Sequence, residues 1–225
     1  MINKLADICV LYDDILLFQF VMNTLSNNPY LYTIDNFLTN KECNFIIRVS
    51  KDNMKDAGVS VMNKGEFISG EYKGRTNSSY WMAIDKYQET LKIAKKIADQ
   101  INCNYEHFEA YQVIHYNVSE EYKYHYDAYD INDKEKYKKF CGGPNGRGNR
   151  LRTVLVYLND VEEGGGTVFD KLSDTEIKVN PKKRRMVVFD NVNDDRTLNI
   201  KSRHAGLPII KGEKWAFNLW LRETE

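Results

Sequence analysis

The sequence predicts an α+β domain in which helices cover one face of an antiparallel sandwich or barrel. Two amphipathic helical patterns fill the first half of the chain. From Phe108 onward the apolar period changes to two, in at least seven short runs divided by Gly, Pro, Asn and Asp clusters. At 225 residues the chain is long enough for one sizeable core.

Taken in order, residues 1–28 read as an N-terminal extension or helix ending in the turn-rich Ser26-Asn27-Asn28-Pro29, and residues 29–225 as one domain. Leu31–Phe37 reads as a strand leading into a helix. Thr39-Asn40-Lys41-Glu42 has the capping-box spacing, which satisfies free amides at a helix start, so the helix runs from there to about Ser50. The polar stretch Asp56–Ser79 suits hairpins or mobile loops. Lys86–Ile101 places Tyr87, Leu91, Ala94, Ala98 and Ile101 at helical spacing. Strands are expected at Glu109–Tyr116, Thr153–Leu158, Thr167–Phe169, Glu176–Val179, Met186–Phe189, His204–Ile210 and Trp215–Leu221. Gly142–Arg150 lacks the lysine and hydroxyl of a phosphate-binding loop and reads as a flexible connection or lid. The basic run Pro181–Arg185 reads as a charged hairpin turn between Ile177–Val179 and Met186–Phe189.

Thirty-two basic and 32 acidic side chains cancel, so no global charge draws the chain to nucleic acid or an anionic membrane. No apolar run is long enough to insert in a bilayer, and Met1–Ala6 offers only Lys4 as a basic leader. Cys9, Cys43, Cys103 and Cys141 are scattered without CxxC spacing, which suggests reduced, structural thiols. The expectation is a soluble intracellular protein that recognises its partner through a pocket or groove.

Among the four histidines, His125 stands in His125-Tyr126-Asp127, at the end of the strand-like tract Tyr122–Ala128. Residues i and i+2 of a strand share a face, so imidazole and carboxylate can stand side by side. His204 follows 77 residues after Asp127. A second histidine from a distant strand completes a two-histidine, one-carboxylate set, which leaves open coordination positions and suits non-haem iron(II). The final strand adds support. Trp215, Phe217, Leu219 and Leu221 alternate with Lys214, Ala216, Asn218 and Trp220, so packing the first set under the helices turns Lys214 into the barrel. A buried ammonium is costly without an anion, which invites a carboxylate ligand; an internal acid or a route to solvent at the barrel mouth would serve as well. A turn centred near Gly212 would set Trp220 opposite His204 across the ladder.

With these residues the chain resembles the catalytic domains of prolyl 4-hydroxylases, within the iron- and 2-oxoglutarate-dependent oxygenases. The resemblance spans roughly Tyr32 to Glu223 and is densest at Tyr111–Asp127, Arg152–Phe169, Lys183–Asp190 and Ser202–Trp220. It implies a double-stranded β-helix, a jelly-roll or cupin-like barrel. It further implies His125, Asp127 and His204 as iron ligands, with Lys214 on the distal carboxylate of 2-oxoglutarate. Tyr116 and Thr153 become hydroxyl donors lining the cosubstrate pocket, and Tyr122 and Trp220 the walls around the target proline ring. Arg75-Thr76 and the loop at Gly142–Arg150 would flank a peptide groove.

The reaction so implied uses O2 and 2-oxoglutarate, with ascorbate in support, to hydroxylate peptidyl proline and release succinate and CO2. The sequence leaves open an oxygenase acting on another residue or a small molecule, and an inactive peptide-binding module of the same fold. The chain departs from the family in Lys183-Arg184-Arg185, where glycine is frequent, and at Leu207, where some members carry cysteine.

Overall fold

A computed structural model describes residues 21–63, 66–70, 74–142, 146–172 and 175–224. In chain order the elements are β1 (Met22–Asn27), β2 (Tyr30–Ile34), α1 (Asn40–Ser50), β3 (Lys55–Asp56), β4 (Val59–Asn63), β5 (Glu66–Gly70) and β6 (Ser78–Met82). There follow α2 (Gln88–Ile101), β7 (Tyr111–Tyr116), β8 (Tyr122–His125), α3 (Lys134–Phe140), β9 (Arg150–Tyr157), β10 (Glu163–Gly164) and β11 (Thr167–Phe169). The last are β12 (Ile177–Val179), β13 (Met186–Asp190), β14 (His204–Gly206), β15 (Ile209–Lys211) and β16 (Lys214–Arg222).

A large antiparallel sheet has the order β1-β2-β13-β9-β16-β7-β6-β3, and a small one the order β12-β11-β14-β8. The pairs β10-β15 and β4-β5 form separate ribbons. Alternation along the strands builds three layers. Val154 and Val156 of β9, Met186 and Val188 of β13, and Trp215, Phe217 and Leu219 of β16 pack with Ile46 of α1 and Ile93 and Ile97 of α2. The intervening Leu155, Tyr157, Val187, Phe189 and Ala216 meet Phe169 and Val179 of the small sheet. A period of two thus divides each central strand between a helix-facing core and an inter-sheet core. This is the expected α+β barrel with helices on one face.

The α1 start forms as its spacing requires. The Thr39 hydroxyl accepts from the Glu42 amide at 3.2 Å, and the Glu42 carboxylate accepts from the Thr39 amide at 2.6 Å. Thr39→Ala is expected to lower unfolding stability by about 1 kcal/mol, read as a lower urea midpoint with an unchanged slope. At the far end of α2, Asn102 closes the helix in the left-handed region (φ 54°), with its amide on Ala98 and Asp99 carbonyls.

Several expectations need correction. Over residues 1–28 the sequence allowed an extension or a helix; Met22–Asn27 is an edge strand paired with β2, and residues 1–20 lie outside the described residues. The basic run Pro181–Arg185 does not turn a hairpin, because β12 and β13 belong to different sheets. It carries the chain between them and is held by long-range contacts: Arg185 pairs with both Asp35 oxygens (2.6 and 3.1 Å), Lys182 with Asp35 (2.8 Å), and Arg184 Nε donates to Leu38 O (2.6 Å). These cations clip the β2–α1 connection to the large sheet. Trp220 stands opposite Thr153, whereas His204 stands opposite His125 and Phe169 in the other sheet. The helix α3 had no sequence expectation. Of the described residues, no helix is long and apolar enough to cross a membrane.

Candidate active site

Strands β8 and β14 pair antiparallel with His125 opposite His204. Asp127 lies just past β8, two residues beyond His125, so the i and i+2 positions reach the same space. His125 Nε2 is 3.7 Å from Asp127 Oδ1, and His204 Nε2 is 3.7 Å from Asp127 Oδ2. One ligand atom from each of the three side chains falls within 4.8 Å of the others. Both rings are oriented by their second nitrogen: His125 Nδ1 meets Lys123 O at 2.8 Å and His204 Nδ1 meets Ser202 O at 2.9 Å. A carbonyl accepts only, so each Nδ1 carries the proton and each Nε2 lone pair faces inward.

Burial, reinforced by the neighbouring His204, pushes the His125 imidazole down to about 3, so it stays neutral at physiological pH. Burial alone would raise the Asp127 carboxyl. The two imidazoles, Arg150 and a hydrogen bond from Thr153 Oγ1 (2.6 Å) outweigh it and hold the group as a carboxylate. Two imidazoles and one buried carboxylate are the donor set of a non-haem iron(II) site. The residues present therefore fit that metal.

The same cavity, of about 550 Å³, is lined by Lys214. Its side chain is 2% exposed. Its ammonium donates to Gly165 O at 3.1 Å and sits 3.9 Å from the centroid of the Tyr116 ring. Among the described residues no carboxylate pairs with it, and burial drives it down to about 7. The two alternatives left open by the sequence, an internal acid or a route to solvent, are thus both absent around this side chain. A cation buried in one cavity with His125, Asp127 and His204 could be stabilised by a ligand carboxylate.

A family profile described as the 2OG-Fe(II) oxygenase superfamily matches residues 111–222. Probable prolyl 4-hydroxylase 10 of Arabidopsis thaliana is 33% identical over 89% of this chain and 71% of its own length. Prolyl 4-hydroxylase 5 of the same plant is 32% identical over 91% and 72%. The chain belongs to the prolyl 4-hydroxylases. Among solved structures, a viral collagen prolyl hydroxylase from Paramecium Bursaria Chlorella virus-1, in its 2OG complex, superposes with a TM-score of 0.65 at 28% identity. That match covers 88% of this chain and 98% of the viral one. A Trichoplax adhaerens prolyl hydroxylase superposes at 0.64 with 18% identity and shares the double-stranded β-helix fold. This prolyl 4-hydroxylase is accordingly an iron(II)- and 2-oxoglutarate-dependent dioxygenase.

The remaining expected site residues converge on the same cavity in this prolyl 4-hydroxylase. Tyr122 stacks on His125, with ring centroids 3.6 Å apart and planes 21° off parallel. The Arg75 guanidinium lies 4.5 Å from the Tyr122 centroid, on the cavity wall. Thr76 instead ties down the neighbouring loop through Glu121, donating to its carbonyl at 3.3 Å and accepting from its amide at 2.9 Å. Trp220 is buried at the other side, with Trp81 at 5.6 Å. Tyr116 is buried, and burial raises its phenol so that it remains a donor. Thr153 lines the cavity, yet its only proton goes to Asp127 rather than toward a cosubstrate.

Sequence reasoning missed three supports in this prolyl 4-hydroxylase. Arg150, read as the end of a flexible loop, lies 3.8 Å from the Trp220 centroid and grips Glu109 with two nitrogens (2.7 and 2.9 Å). Burial works against its charge, but Glu109 overrides that and raises it further. Asn149 beside it is fully buried and bonds the Tyr129 amide and carbonyl (2.9 and 2.8 Å). Thus at least this end of the expected lid is fixed, while residues 143–145 lie outside the described residues. The third support is Asn191, whose amide reaches Thr153 at 2.8 Å. No local pattern marks these contacts, because each partner is more than 15 residues away in sequence.

Proposed function

We propose that the chain hydroxylates proline in a peptide or protein, with Tyr122 and Trp220 bounding the target ring. The observation that carries this reading is Lys214, a buried cation with no anion among the described residues, in one cavity with His125, Asp127 and His204. The viral neighbour is described as a collagen prolyl hydroxylase in a 2OG complex and the Trichoplax one as bound to a peptide fragment, which supports a peptide substrate here.

His125, Asp127 and His204 would hold the iron, and Lys214 the far carboxylate of 2-oxoglutarate. When bound, iron(II) with that cosubstrate and O2 supplies the oxidising chemistry, with succinate and CO2 as coproducts. The chain's own work is positional. The Nδ1 hydrogen bonds keep each imidazole turned inward, and Thr153 fixes the Asp127 carboxylate. Tyr122 and Trp220 present flat apolar faces to a pyrrolidine ring within the cavity. Arg75 and Arg150 stand behind those two rings.

Ascorbate enters this reading as the reductant that keeps iron ferrous. A reducing, intracellular setting is supported by Cys43, Cys103 and Cys141, which are free, and whose thiols burial pushes up to about 11. The test is incubation with iron(II), 2-oxoglutarate, ascorbate, O2 and either proline-rich or collagen-like peptides. Expected are succinate and a peptide heavier by one oxygen atom, with the gain on proline. Succinate with an oxygen gain on another residue would reassign the substrate. Absence of both products with every peptide would leave a binding module of the same fold.

A further inference from the structure

We infer that Asn191 is a positioning residue that presents the Asp127 carboxylate to the metal by fixing the direction of the Thr153 hydroxyl. This rests on the reading of His125, Asp127 and His204 as the metal centre. Asn191 follows directly on β13, and its backbone is clamped on both sides: its amide donates to Leu151 O (2.8 Å) and its carbonyl accepts from Asn199 N (3.0 Å). The side chain is completely buried. Its Nδ2 lies 2.8 Å from Thr153 Oγ1, which in turn lies 2.6 Å from Asp127 Oδ2.

Proton counting fixes the direction of this chain. A threonine hydroxyl holds one proton and a carboxylate none, so of the two short contacts at Thr153 Oγ1 only one can use the hydroxyl proton. The other proton must come from Asn191 Nδ2. Turning the amide over would set Oδ1 and Asp127 Oδ2 in competition for a single proton. The sequence of donors is therefore Asn191 to Thr153 to Asp127 Oδ2. Among the described residues Oδ1 of Asp127 accepts no hydrogen bond, and it is the oxygen left for a cation.

A second observation separates this role from plain core packing. Among the described residues, Asn191 Oδ1 is buried with no hydrogen-bond partner. An unmade bond of this kind destabilises a core, and an apolar side chain of similar volume would remove the cost. Asn191 occupies a buried position at the cost of that unmade bond, while its engaged donor serves Asp127 through Thr153. Thr153 stands one step behind the ligand and Asn191 one step behind Thr153, and the partners that orient a ligand govern its metal affinity.

The test measures Mn(II) binding by calorimetry and Co(II) binding by its visible absorption, both on the full chain without cosubstrate or peptide. Asn191→Leu is expected to keep or raise the thermal midpoint of the metal-free protein. It should weaken Mn(II) binding by about 10–100-fold and shift the Co(II) bands. Thr153→Val should weaken binding similarly, and adding Asn191→Leu to it should change nothing further, since the relay is already cut. Asn191→Ala, which adds no bulk, is measured alongside. Unchanged Mn(II) affinity in a folded Asn191 variant would overturn the inference. So would a full additional loss in the Thr153→Val background, or failure of both Asn191 variants to fold. If the unaltered protein binds neither ion, the metal-centre reading itself fails, and the inference with it.

Discussion

Lys214→Met is expected to stabilise the ligand-free protein and to cripple 2-oxoglutarate binding in the same stroke. Among the described residues the ammonium is buried without a counter-charge, and burial pushes it down to about 7, against 10.5 for an ordinary lysine. Because the folded value is depressed, the unfolded chain binds more protons between about pH 7 and 10.5. Stability of the unaltered protein therefore rises with pH through that window, and the full penalty is felt below it. The penalty is a few kcal/mol, with about 5 kcal/mol as its ceiling. Urea unfolding of both proteins from pH 6.5 to 10 checks this: the advantage of Lys214→Met should be largest at the acid end and shrink as pH rises. An advantage independent of pH would refute the unpaired-ammonium account. On the proposed reading, the same change removes the buried cation that would face the distal carboxylate of the cosubstrate. The loss of a buried charge partner, about 3–5 kcal/mol, would raise the half-saturating 2-oxoglutarate concentration by roughly 10²–10⁴-fold.

Asp127→Ala or His204→Ala is expected to abolish coupled succinate and hydroxyproline formation. Each removes one of three donors facing a common point. A single ligand contributes several kcal/mol to holding the cation, so turnover should fall by more than about 10³-fold. The fold should survive, since neither side chain is a large core hydrophobe and both open onto the cavity. Circular dichroism and Mn(II) titration run beside the assay separate metal loss from unfolding. Near-normal succinate formation by a folded Asp127→Ala protein is the result that removes Asp127 from the metal centre.

Much of this site could be read in the sequence because its signals are local. His125 and Asp127 share a face by simple parity. The alternation in β16 sends Trp215, Phe217 and Leu219 to the helices and Lys214 and Trp220 to the cavity, as the pattern requires. The capping box at Thr39 is likewise a matter of three residues. What was illegible is relational. Pro181–Arg185 looks like a hairpin until one knows that β12 and β13 lie in different sheets, and that Asp35 waits for Arg185 150 positions away. The Thr153 hydroxyl looked available to a cosubstrate until Asp127 and Asn191 were found on either side of it. The opposition of Trp220 and His204 failed for the same reason, since the ladder partners of β14 are β8 and β11.

The in-register opposition of His125 and His204 also dictates which accidents of inheritance this chain could survive. Sequence distance between the two imidazoles carries no constraint of its own, so residues can be added or lost between them wherever no strand and no buried contact is broken. Inside β8 or β14 the rule is one of odd and even. A single inserted residue inverts the remainder of the strand and aims an imidazole at the opposite face, while a pair restores its side but shifts it along the ladder. Length polymorphism in descendants should accordingly gather in the links and spare these two short ribbons.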